Sequence, residues 1–155
     1  MAIWEWALEV YARPGVPEAC LALQDLHGQN TSFLLWAVHA EVKDPELLAR
    51  AAEAARTWDR TALVPLREVR RALKAPAPPV DDRARLALRE EVKGLELAAE
   101  RLLLETLDGM SRGRGGAHAL EALEAASKAW DKPVTAGALA ELARVLGLSP
   151  VRLNR

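Results

Sequence analysis

Apolar and polar residues alternate along most of this chain with the period of an α-helix, and proline or glycine marks the segment ends. The first segment places six apolar side chains on one broad helical face: Ile3, Trp4, Ala7, Leu8, Val10 and Tyr11. Pro14-Gly15 ends it, and a second amphipathic helix is expected to begin near Pro17 and end at Gly28. The pattern therefore predicts two helices before residue 30.

The third segment differs, because its apolar residues surround the helix. Every residue of Phe33–Val42 except His39 and Glu41 is apolar. Such a helix is normally enclosed by others, so we expect it to be the central element of the fold. Asn30 or Ser32 is suited to cap its first turn.

Residues 45–74 keep nine apolar side chains in phase, although Pro65 interrupts the backbone hydrogen bonds. One long kinked helix explains the shared phase better than two unrelated helices. Its start is marked by Asp44-Pro45-Glu46, which supplies an N-cap and a first-turn proline. Residues 75–80, rich in proline, are expected to form a stiff, extended connector.

A long helix should follow from Asp81 or Asp82 to about Asp108. Five of its apolar residues alternate in spacing between four and three, which predicts a packing seam of Leu88, Val92, Leu95, Ala99 and Leu102. Residues 109–116, rich in glycine and arginine, have no apolar anchor and are expected to be a mobile loop. Two shorter helices, residues 117–130 and 136–146, complete one all-α domain over residues 1–155. The prediction is a bundle of six or seven helices with a central apolar helix and one long kinked basic helix.

Composition fits a single domain of this kind. The chain has 155 residues, half of them hydrophobic, and a formal net charge of −1. The one cysteine, Cys20, forms no intrachain disulfide, and the three histidines do not have the spacing of a metal site. No basic amino-terminal region precedes an apolar run, and no apolar stretch is long enough for a membrane span. We therefore expect a cytoplasmic protein without a metal or cofactor; the oligomeric state stays open.

A spaced block in the first third of the chain carries a family resemblance. It comprises Trp4, Trp6, Tyr11, Arg13 to Val16, Ala19 to Leu21, Leu23 to Asp25, Gly28, Asn30 and Leu34 to Trp36. This block resembles an uncharacterised proteobacterial family of small all-helical proteins that is known as a domain of unknown function. The resemblance implies a bacterial cytoplasmic helical protein, and it implies no activity, cofactor or catalytic residue.

The sharpest functional candidate is a basic face on the kinked helix. Six cations fall within an arc of roughly 100° at 3.6 residues per turn, and they are Arg56, Arg60, Arg67, Arg70, Arg71 and Lys74. We hypothesise a non-enzymatic interaction protein that binds an acidic partner, most simply another protein, through this face. An alternative is an RNA- or DNA-associated accessory protein that uses the same arginines on phosphates. The face could also be a solvated surface paired with acids from neighbouring helices.

A second candidate is a polar and aromatic cluster near the first helix junctions. Its members are Trp6, Arg13, His27, Asn30 and His39, a composition typical of a small-ligand pocket or an enzyme site. The alternative interpretation is structural, because asparagine caps helix starts and arginine or histidine stabilises helix ends. No nucleophile or phosphate-binding loop accompanies the cluster, so no catalytic residue is predicted and enzymatic activity is not favoured.

Overall fold

The computed structural model describes residues 1–132 and 134–147, and this part of the chain is an all-α bundle without strands. The helices are α1 (Ile3–Tyr11), α2 (Val16–His27), α3 (Thr31–His39), α4 (Pro45–Trp58), α5 (Val64–Ala72), α6 (Asp82–Met110), α7 (Ala119–Trp130) and α8 (Ala136–Val145). A π-helical segment, Asp59–Leu63, joins α4 directly to α5. Counted as one kinked helix, α4 and α5 bring the described total to seven, which confirms the predicted fold class.

The helix ends lie close to where local sequence signals predicted them. Asn30 Oδ1 accepts a hydrogen bond from Phe33 N at 2.9 Å, and Asp81 Oδ2 accepts one from Ala84 N at 2.8 Å. Asp44 Oδ1 likewise accepts from a first-turn amide of α4 at 3.1 Å. Gly28, with φ +60°, ends α2 in the left-handed conformation that favours glycine. These short-range bonds fix the helix boundaries.

Helix α3 is the centre of the bundle, as predicted. Residues 32–38 are all buried, and the Phe33 and Trp36 side chains have no measurable exposure. The helix packs against α1, α2, α4, α6 and α7. It is shorter than the predicted Phe33–Val42 segment, because Glu41 adopts a left-handed conformation with φ +53°.

The turn after α3 is held by the glycine-rich loop. Gly115 N donates to Ala40 O at 2.9 Å, and Ala117 N donates to Glu41 O at 3.0 Å. A side chain on Gly115 would overlap the Glu41 carbonyl oxygen. The predicted loop over residues 109–116 therefore begins later, at Ser111, and it has anchors that the sequence did not indicate; its mobility stays a prediction.

Helix α6 corrects the predicted seam. Val92 and Ala99 are buried, but Leu88, Leu95 and Leu102 are about half exposed, at 49%, 58% and 54%. The buried face instead carries two charged residues, Arg85 and Glu96, among the apolar ones. Counting apolar residues missed this face, since charged side chains occupy part of it.

The π-helical segment lies just before Pro65, where the sequence predicts an interruption of the backbone hydrogen bonds. Val64 N donates to Asp59 O, one residue further back than in an α-helix. One extra residue in the turn rotates all the following residues by about 100° relative to a regular helix of the same sequence.

Residues 75–80 are non-helical, as expected, although Val80 N donates to Ala77 O at 2.9 Å and so closes a turn.

Within the described ranges no helix combines the length and the hydropathy that crossing a membrane requires.

Candidate functional site

The predicted basic face is divided by the π-helical segment, and its first arginine faces helix α7. Arg56 Nη2 donates to Ala129 O at 3.0 Å. The guanidinium carbon lies 5.1 Å from the centre of the Trp130 ring, and Nη1 lies 3.7 Å from Glu53 Oε2. Arg56 therefore joins two helices instead of lining an open surface.

After the π-helical segment, two arginines turn towards α6. Arg67 Nε lies 3.3 Å from Glu96 Oε1, and Arg70 Nε lies 2.6 Å from Glu96 Oε2. Glu96 is only 9% exposed, so it places its charge between two cations inside the α5–α6 contact. Arg89 Nε adds a bond to the Arg70 carbonyl oxygen at 3.2 Å. These contacts stabilise the packing of α5 on α6.

The remaining three cations of the predicted face are exposed. Arg71 has a 59% exposed side chain, and its Nη2 lies 3.7 Å from Asp25 Oδ1 of α2. Arg60 and Lys74 are exposed, and no carboxylate of the described residues pairs with them. The six cations therefore do not form one continuous basic face, and the pairing of Arg67 and Arg70 with Glu96 agrees with the alternative of a face paired with acids from neighbouring helices. Its arginines point in different directions because the helix gains a residue at the π-helical segment.

The second predicted set separates into local structural roles. Asn30, which is buried, caps α3 and donates from Nδ2 to Asp59 Oδ1 at 2.9 Å. Burial raises the pKa of Asp59, and the Asn30 hydrogen bond partly opposes that rise. Arg13 donates to Leu146 O at the end of α8. The carbonyl of His27 faces Gln29 Nε2 at 3.5 Å.

Two members of that set do meet. The rings of Trp6 and His39 have centres 5.0 Å apart, and His39 Nδ1 lies 3.6 Å from Asp108 Oδ1. This contact joins α1, α3 and the end of α6. Arg13 and Asn30 are engaged elsewhere, so the five residues do not assemble into the predicted pocket.

A different site lies between α4 and α6. A groove of about 600 Å³ opens there, lined by Arg50, Glu53, Ala54, Thr57 and Trp58 of α4 and by Leu102, Leu103 and Thr106 of α6. Trp58 Nε1 donates to Ala99 O at 2.8 Å, which fixes the indole in place. The lining is mainly apolar, and the 54% exposed Leu102 stands on its α6 side.

The groove carries one available positive charge. Arg50 is exposed, and among the described residues no carboxylate lies within ion-pair distance of its guanidinium. The groove's acid, Glu53, lies 3.7 Å from the Arg56 guanidinium instead. The sequence did not predict this site. Leu102 was assigned to the packing seam of the long helix, and Trp58 is one of the nine apolar side chains in phase over residues 45–74. A groove depends on the distance between two helices, and periodicity does not give that distance.

Comparisons with known proteins identify the family of this chain but do not supply a function. A family model described as "Protein of unknown function (DUF2390)" matches residues 2–107, from α1 almost to the end of α6. The match confirms the resemblance noted in the first third of the chain and includes all residues of the α4–α6 groove. No curated protein and no solved structure matches this chain.

Proposed function

We propose that this chain, which belongs to the DUF2390 family of proteins of unknown function, is a non-enzymatic interaction protein that binds an acidic, amphipathic helix of another protein. The docking site is the α4–α6 groove. The observation that carries the proposal is an open, mainly apolar groove of about 600 Å³ with one available cation at its side. Grooves of this composition accept the apolar face of a partner helix.

The dimensions of the groove suit a helix. Arg50, Ala54 and Trp58 follow one another at single-turn intervals, so they span about 12 Å at 1.5 Å per residue. Leu102 and Thr106 repeat that interval on the opposite side. A partner helix would therefore contact the groove with about two turns, through apolar residues at positions i, i+3, i+4 and i+7.

The charge of the groove supports an acidic partner. Glu53 is compensated by Arg56, so Arg50 dominates the local charge. An acidic residue beside the partner's apolar face would pair with Arg50 at the edge of the contact, where such pairs contribute specificity more than affinity. The acidic partner inferred from the sequence is thus retained, and its docking surface moves from the basic face to the groove.

The nucleic-acid alternative has less support from the contacts. Phosphate binding needs several available cations on one surface, whereas Arg67 and Arg70 turn inward and share the carboxylate of Glu96. We also infer a bacterial cytoplasmic setting from the family resemblance and from the buried free thiol of Cys20, which is typical of reducing compartments.

The test uses two synthetic amphipathic peptides of about 15 residues, a length that gives roughly four helical turns. Both carry leucine and alanine at i, i+3, i+4 and i+7; one has glutamate and the other lysine at the remaining positions. We expect saturable binding of the acidic peptide by fluorescence anisotropy and weaker binding of the basic one. Arg50→Glu should reverse this preference, because it exchanges attraction for repulsion at the groove.

Leu102→Asp should weaken binding of the acidic peptide by roughly tenfold, because it places a charge in the apolar lining. Leu86→Asp is the matched control: Leu86 is similarly exposed, at 48% against 54%, and does not line the groove. Equal losses from both substitutions, or a preference that Arg50→Glu leaves unchanged, would contradict the proposed site. Binding of both peptides with equal affinity would contradict the acidic partner.

A further inference from the structure

A second, smaller cavity lies on the opposite side of α6, between α1 and α3. It has a volume of about 90 Å³ and is lined by Trp4, Ala7, Leu8, Tyr11, Thr31, Ser32, Leu35, Leu97, Glu100 and Leu104. Leu35 and Leu104 are each 3% exposed, whereas Leu8 and Leu97 are each 49% exposed. The cavity thus has a buried apolar wall and an apolar opening towards solvent.

Glu100 lines this cavity with an ionisable carboxyl group that forms no ion pair with a described residue. Among the described residues no ion pair or hydrogen bond engages its carboxyl group, while Glu96, one turn earlier, accepts both Arg67 and Arg70. Burial, followed by the charge of Glu96, raises the pKa of Glu100 to about 7, and the two arginines oppose that rise. A mostly buried carboxyl group of this kind gains from a cationic ligand.

The aromatic side chains favour the same ligand class. Trp4 and Tyr11 line the cavity, and the faces of such rings attract ammonium groups. The Trp4 ring already shows this attraction, since the Arg101 guanidinium carbon lies 5.7 Å from its centre; the second face of Trp4 and the Tyr11 ring are left for a ligand. Burial also raises the pKa of Tyr11 above its usual range, so its hydroxyl stays neutral. Thr31 and Ser32 add hydroxyl oxygens that can accept hydrogen bonds.

We propose that this cavity binds a small linear primary amine as its ammonium ion, with the nitrogen on the Glu100 carboxylate and the alkyl chain passing between Leu8 and Leu97. The size agrees with the ligand: a cavity of about 150 Å³ holds benzene, so 90 Å³ holds about four non-hydrogen atoms and a longer chain reaches the opening. This site is independent of the α4–α6 groove and of the protein partner proposed for it.

Binding is coupled to a proton. The ammonium ion binds the ionised carboxylate, so a protonated Glu100 releases its proton to solvent as the ligand enters. The charged and titratable groups that face Glu100 are Glu96 of the same helix, Arg67 and Arg70 of α5, Tyr11 of α1 and Cys20 of α2. The arginines stay charged, and burial holds the pKa of the Cys20 thiol at about 12, so Glu100 itself governs the dependence near neutrality.

The probe is n-butylamine, with n-butanol and butyrate as neutral and anionic counterparts. Binding is followed through the Trp4 indole N–H resonance in two-dimensional NMR spectra. We expect saturation by butylamine at about pH 8, binding at least tenfold weaker for butanol, and none for butyrate. Below pH 7 the affinity for butylamine should fall about tenfold for each pH unit, because the protonated carboxyl group must first ionise.

Substitutions of two residues that line the cavity, Glu100 and Ala7, test whether the amine binds there. Glu100→Gln should reduce the affinity for butylamine at least tenfold and remove its pH dependence. Ala7→Val, which fills part of the cavity and leaves the carboxyl group in place, should also weaken binding. Glu91→Gln, at an exposed acid of the same helix, should leave binding unchanged. Absence of saturable binding to the folded protein, or equal binding by the Glu100→Gln variant, would overturn the proposal.

Discussion

Glu100 makes the stability of this protein depend on pH in a direction that can be measured without any ligand. The pKa of its carboxyl group rises from an ordinary 4.5 to about 7 on folding, mainly through burial. Between these two values the folded protein keeps a proton that the unfolded chain releases. The free energy of unfolding therefore falls as the pH rises through this window, and the full penalty applies above pH 7.

The size of the effect follows from the same two values. Each pKa unit corresponds to about 1.4 kcal/mol, so ionised Glu100 costs the folded state ~3 kcal/mol at pH 8 and almost nothing near pH 4. Glutamine is a neutral side chain of the same shape. Glu100→Gln should accordingly match the wild type near pH 4 and exceed its stability by up to ~3 kcal/mol at pH 8.

Urea unfolding, followed by circular dichroism at several pH values from about 4 to 8, gives the required free energies. The difference between variant and wild type isolates Glu100, because the other titrating groups are common to both. Glu91→Gln is the matched control and should show a small difference that does not change with pH. A difference for Glu100→Gln that is equally flat would refute the inferred burial of an ionisable carboxyl group.

Three further substitutions test the contacts that hold the helices together, each by urea unfolding. Asn30→Ala removes the α3 cap and the Asp59 partner together and should cost ~2–3 kcal/mol; a cost near zero would mean that neither bond matters. Glu96→Leu leaves two arginines without their shared counter-charge and should cost ~3–5 kcal/mol, and an unchanged stability would show that both escape to solvent. Gly115→Ala should cost ~1–3 kcal/mol, because its new methyl group overlaps the Glu41 carbonyl oxygen. An unchanged stability would show that the loop is not held tightly against the turn after α3.

The bundle could be predicted because its signals are local. Gly28, Asn30 and Asp81 act on backbone groups within a few residues, so the sequence alone locates the helix ends. The central place of α3 also follows from one short segment, since an all-round apolar helix of this composition has no face suited to water. Neither inference needs knowledge of which helices become neighbours.

The candidate sites could not be predicted, because they depend on pairings between distant elements. Glu96 is buried only because two arginines of α5 reach it, and a pattern of apolar positions counts it as a solvent residue. The same omission placed Leu95 and Leu102 on the packed face of α6, although both are exposed. The grooves on either side of α6 then follow from the spacing of whole helices.

The π-helical segment explains why the six cations do not share one face, and shortening it by one residue tests what the segment does for the helix. Deleting Arg60, which is exposed, removes the extra residue together with its extra backbone position, so α5 keeps its orientation and Arg67 and Arg70 still face Glu96. The deletion would, however, place Pro65 in the interior of a regular α-helix, which costs about 3 kcal/mol. The free energy of unfolding in urea should therefore fall by ~3 kcal/mol for the deletion, whereas Arg60→Ala, which keeps the chain length, should stay within ~0.5 kcal/mol of the wild type. If the deletion is tolerated as well as the substitution, the π-helical segment is not what accommodates Pro65.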